Sequence, residues 1–112
     1  MATYLFAYRS AKDHESTDET YGEWTAWFGE LGNAVQELGN PIFDRRQVGD
    51  CGADTTVLGG YSLIQAESLE EAVSFAGRCP ALIHQGGVEV GELTFLATAD
   101  GDQAAEVETP VS

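Results

Sequence analysis

The chain has 112 residues, 43% of them hydrophobic, with 19 acidic against 5 basic residues and a formal net charge of -14. The length fits a single domain, and the hydrophobic share excludes a disordered chain. The charge argues against nucleic acid or an anionic membrane as a partner, and no apolar stretch approaches a membrane span.

Thr3 to Tyr8 reads TYLFAY, short and nearly all apolar, as expected of a central strand buried on both faces. Arg9 to Thr17 is polar and reads as a loop, with Ser16 and Glu19 at capping-box spacing. Tyr21, Trp24, Phe28, Leu31, Val35 and Leu38 recur at spacings of three and four, which predicts a helix from Asp18 to Leu38. Trp27 and Ala34 widen its apolar stripe, and Glu23, Glu30 and Glu37 fall on the opposite side. Gly39-Asn40-Pro41 is the expected helix end. Ile42 to Val48 is then the second strand, at a sheet edge. Gly49 to Gly60 is a connection, and Tyr61 to Ala66 is the third strand. Ser68 and Glu71 form a capping box for a second helix that runs to about Gly77. Leu69, Ala72, Val73 and Ala76 are its expected inward residues, and Cys79-Pro80 marks its end. Ala81 to Gly87 reads as a loop and Val88 to Leu96 as the fourth strand. The domain therefore spans 1–96, and the small, acidic segment 97–112 reads as a frayed tail.

The order β-α-β-β-α-β predicts an α+β, ferredoxin-like fold. Two right-handed crossovers place both helices on one face of a four-stranded antiparallel sheet. The other face then needs cover, because TYLFAY is apolar on both sides. A second copy of the chain would supply it, and a core of this size alone is marginal. Both points predict a homodimer.

Gly59 to Leu93, GGYSLIQAESLEEAVSFAGRCPALIHQGGVEVGEL, resembles the YCII-related proteins, including their DGPF-domain branch. The TYLFAY strand and the Trp24, Trp27, Phe28 segment ending at Gly39-Asn40-Pro41 are similar to that family too. The resemblance spans roughly residues 3 to 96. It implies a dimeric α+β barrel, in which two ferredoxin-like units pack their sheets together. Some members carry a His–Asp pair suggested to be catalytic, and no residue here is assigned to it. The Asp-Gly-Pro-Phe sequence is absent, and the corresponding stretch reads Asp50-Cys51-Gly52-Ala53-Asp54.

The chain has two histidines, His14 and His84, each in an expected loop. Histidine is the usual general base near neutral pH, and His84 is the preferred catalytic candidate because it precedes the last strand. A solvated surface role fits both equally. Glu89, between Val88 and Val90, points away from the helices if those valines face them. It would then be a second base, or pair with an arginine across the dimer. Arg9 and Arg45 are candidate anion clamps, and Asp44 lies beside Arg45. Tyr8, Trp24 and Trp27 are candidate pocket walls, or plain core. Neither glycine pair, Gly59-Gly60 or Gly86-Gly87, has the spacing of a phosphate loop. The scattered histidines and cysteines suggest no metal site, and no cofactor is expected.

Two functions fit. One is a cofactor-independent enzyme that moves a proton in a small molecule, as an isomerase or lyase does. The other is a non-catalytic ligand-binding or interaction protein. Cys51 and Cys79 lie far apart without a CxxC spacing, so free thiols in a cytoplasmic protein are expected. The acidity fits either adaptation to high salt or an ordinary acidic protein, and Lys12 is the only lysine.

Overall fold

In the computed structural model, residues 1–52 and 55–94 are described. The expected tail falls outside them. The elements are β1 (Ala2–Ala11), α1 (Asp18–Leu31), a 3-10 turn (Gly32–Ala34), β2 (Val35–Pro41), β3 (Thr56–Ala66), α2 (Leu69–Ala76), a 3-10 turn (Pro80–Leu82) and β4 (Gly87–Glu92). The four strands form one sheet in the order β2-β3-β1-β4, with every pairing antiparallel. This is the ferredoxin-like α+β arrangement that the element order predicts, with β1 and β3 at the centre.

Alternation along the central strands sorts the side chains onto two faces. Tyr4, Phe6 and Tyr8 of β1 and Ser62, Ile64 and Ala66 of β3 are buried beneath the helices. Trp27 and Leu31 of α1 and Ala72 and Ala76 of α2 close over them. The Trp27 indole N–H donates to the Phe75 carbonyl at 3.2 Å, which ties the two helices together. Val88 and Val90 of β4 pack against the same core. On the opposite face Leu5 stands across from Leu63 and Ala7 from Tyr61, half-buried and without a covering layer.

The first helix differs from its expected course. It stops at Leu31, because Gly32 adopts a positive φ of 55° and its N–H donates back to the Phe28 carbonyl. The three-four spacing that carried on to Val35 and Leu38 is continued by a turn and a strand. Strand β2 is therefore Val35–Pro41, and Ile42 to Val48 is irregular. An edge strand accommodates Pro41, whose missing N–H interrupts no inner ladder. Phe43 and Val48 are 78% and 90% exposed, so the apolar residues that suggested a strand there are outside the core.

Smaller differences concern the helix faces. The cap of α1 is Thr17 with Thr20, one residue later than the Ser16–Glu19 spacing suggested. Tyr21 is exposed, while Thr20 and Trp27 are buried. In α2 the inward residues are Ala72 and Ala76; Leu69 and Val73 are exposed. The Ser68 cap is as expected, accepting from the Glu71 N–H at 3.1 Å. Strand β4 ends at Glu92, short of Leu96.

Candidate functional site

The two histidines lie in different loops, and the fold brings them together. After β1 a tight turn, closed by the His14 N–H to the Ala11 carbonyl, sets His14 beside the strand end. The second turn is built on Cys79-Pro80. Its Ile83 N–H donates to Pro80 and its His84 N–H to Ala81. Gln85 then takes a positive φ of 67°, an uncommon state for a residue with a side chain, and the Gly86 N–H returns to the Ala81 carbonyl at 2.8 Å. Gly86 lies so close to the Arg9 carbonyl that a Cβ there would collide with it. This packing fixes the turn that carries His84 against the end of β1.

His84 and His14 have ring centroids 5.4 Å apart. His84 Nε2 is 2.7 Å from Glu23 Oε1 on the second turn of α1, and both side chains are 30% exposed. A carboxylate at Nε2 favours the tautomer with the proton there. Nδ1 then carries the lone pair, and it has no hydrogen-bond partner among the described residues. The arrangement is an imidazole oriented by a carboxylate, with a second imidazole alongside.

A shallow depression of about 350 Å³ opens over this pair, lined by Ala11, Asp13, His14, Glu15, Ile83, His84 and Gln85. A separate recess of about 30 Å³ shares His14 and His84 with it and is otherwise lined by Arg9, Ser10, Trp24, Ala81 and Gly86. Trp24 forms an apolar wall, held edge-on to Tyr8 at 4.8 Å and to Trp27 at 5.7 Å. Tyr8 and Trp27 lie behind it in the core.

The other sequence candidates stand elsewhere. The Arg9 guanidinium donates to the hydroxyl and carbonyl of Thr56, at 3.2 and 3.0 Å. Glu89 is exposed on the open sheet face opposite Ala7, away from the helices. Arg45 donates to the Ile42 and Phe43 carbonyls of its own loop, and Asp44 pairs with Arg46 at 3.3 Å in solvent. Of the sequence candidates, His84 thus lines both hollows, and Trp24 and Arg9 line the smaller one. Sequence reasoning missed Glu23, which its helical position assigns to the solvent side. It also missed that His14 is the neighbour of His84. That both histidines follow or precede strands paired with each other was the available signal.

Two buried groups beneath the site have shifted titration. Burial pushes the Cys79 thiol up to about 12, a shift partly offset by the Ala81 N–H that it accepts. Burial pushes the Tyr8 phenol up strongly, and neighbouring Ser62 offsets only part of the rise. The Tyr8 hydroxyl has no hydrogen-bond partner among the described residues. No group of three or more His, Cys, Asp or Glu among the described residues is placed to hold a metal ion.

No protein-family model matches the chain, and no curated protein matches it. Among solved structures it is similar to 5-chloro-2-hydroxyhydroquinone dehydrochlorinase from Burkholderia phenoliruptrix AC1100, in complex with 2,5-dihydroxybenzoquinone. The identity is 21%, the TM-score 0.57, and the match covers 82% of this chain and 93% of that one. The likeness establishes a shared fold, one that in that protein supports a small-molecule enzyme.

Proposed function

We propose that the chain is a cofactor-independent enzyme that moves a proton in a small hydroxylated molecule. One observation carries the reading: the chain's two histidines converge on a single depression, and one of them is hydrogen-bonded to a half-buried carboxylate at 2.7 Å. A ligand hydroxyl set against His84 Nδ1 would give up its proton there. Glu23 would stabilise the imidazolium so formed, and the proton would return to the substrate at a neighbouring position. His14 would orient the ligand or relay the proton. Trp24 would pack against its ring. The YCII-related resemblance supports the reading, since some members carry a His–Asp pair suggested to be catalytic.

The enzyme would work as a homodimer packed through the open sheet face, as the same resemblance implies. Glu89, which belongs to that side, would then contribute to the dimer seam rather than to proton transfer. The free thiols of Cys51 and Cys79 support a cytoplasmic setting.

Hydroquinone and its 2-hydroxy and chloro derivatives, kept under argon, form the test panel. Deuterium exchange and chloride release are followed for each. Where wild type turns a compound over, His84→Asn is expected to lower the rate by about 100-fold or more, and Glu23→Gln by a smaller factor. Variants as fast as wild type would remove His84 and Glu23 from the chemistry. Binding without turnover would favour the alternative of a non-catalytic ligand-binding protein.

A further inference from the structure

The wider depression is lined by Asp13 and Glu15 as well as the two histidines, and Glu23 stands directly behind His84. No lysine or arginine lines it. Arg9 borders the smaller recess, but its guanidinium is held by Thr56. Arg45 is held by its own loop. The groups expected to clamp an anion are therefore engaged elsewhere. The chain's charge of -14 extends the same sign of field outward.

Resting on the proton-transfer reading above, we infer that this site selects against anionic substrates and takes a neutral or cationic aromatic molecule. A carboxylate entering the depression meets Asp13 and Glu15, with Glu23 behind His84 and no lysine or arginine in the lining. An ammonium group meets attractive charge from Asp13 and Glu15 at the mouth, and a ring beside it can lie against the two imidazoles. A neutral alcohol keeps its hydrogen bond to His84 without the repulsion.

Benzylamine, benzyl alcohol and benzoate share one ring and differ in charge, so they isolate this effect. Their binding is read from the side-chain NMR signals of His84 and the Trp24 indole N–H at low salt. Benzylamine and benzyl alcohol are expected to bind at least about tenfold more tightly than benzoate, from a few carboxylates acting across the mouth. The Asp13→Asn, Glu15→Gln double variant changes two exposed side chains and should bring benzoate to within about threefold of the alcohol. Molar salt should do the same. Benzoate binding as well as the other two would overturn the charge selection while leaving the His84 site in place. If none of the three shifts the His84 or Trp24 signals, the site reading falls and this inference with it.

Discussion

At the residue scale, the site rests on side chains whose roles their neighbours in sequence do not reveal. Glu23 sits in a run of acids that reads as solvated surface, and only the turn after Pro80 shows that a histidine comes to meet it. Cys79, just before that proline, is buried and caps the turn through its sulfur. Its thiol is held well above its usual value of 9.0, at about 12. The folded state therefore holds this proton more tightly than the unfolded chain does. The stability it contributes is complete below pH 9 and is lost as pH rises towards 12. Tyr8 acts in the same direction at still higher pH. Thermal melts from pH 7 to 11 are expected to show a falling melting temperature above pH 9. In Cys79→Ala that fall should be shallower, although the variant starts lower because of the cavity it leaves. An equally steep fall in the variant would place the alkaline sensitivity elsewhere.

At the scale of elements, the strands β1 and β3 and the helix α2 were legible because their patterns are local. TYLFAY and YSLIQA alternate or run apolar within one strand length, and Ser68 caps its own helix. β2 was not legible, because Val35 and Leu38 continue the helical spacing of α1. What separates the two elements is the backbone state of Gly32, which no hydrophobic pattern reports. The irregular segment after Pro41 misled for the opposite reason, since Ile42, Phe43 and Val48 look like strand residues. Of the candidate site, His84 and Trp24 were legible, while the Glu23 contact depends on how α1 packs against a distant turn. That turn depends on Gly86. Gly86→Ala would place a methyl group against the Arg9 carbonyl, where the neighbour is backbone and cannot rotate away. A loss of about 2 kcal/mol or more in urea unfolding is expected, with the His84 signal displaced even where the protein still folds. A variant as stable as wild type with an unmoved His84 would show that the turn is looser than its packing indicates.

At the scale of the whole molecule, the sheet has one face covered by helices and one without cover. Leu5 and Leu63 at its centre are half-buried by their own neighbours, and Glu89 and Gln65 bring polar groups to the same side. A face of this mixed kind fits an interface between two acidic copies better than a core seam, and repulsion between them should weaken it at low salt. Light scattering is expected to give twice the 12.0 kDa mass of the chain, most completely in molar potassium chloride. Melting temperature should rise over the same salt range. A monomer at every salt concentration would leave the open face without its proposed partner, and a flat melting temperature would mark the acidity as generic.

Strand β1 lies between β3 and β4, yet among the described residues it is the first element in sequence and β4 the last. During synthesis its apolar sequence emerges well before either neighbour exists. At ordinary elongation rates the wait for β4 is on the order of ten seconds. Until β3 is made TYLFAY is an unpaired, aggregation-prone strand with only a helix to shelter it, and its edge towards β4 stays open for the rest of that time. Its pairing with β4 also spans nearly the whole chain, a long-range closure of the kind that slows folding. Synthesis of this protein thus carries a built-in interval in which β1, the strand that anchors the finished sheet, is its most vulnerable segment.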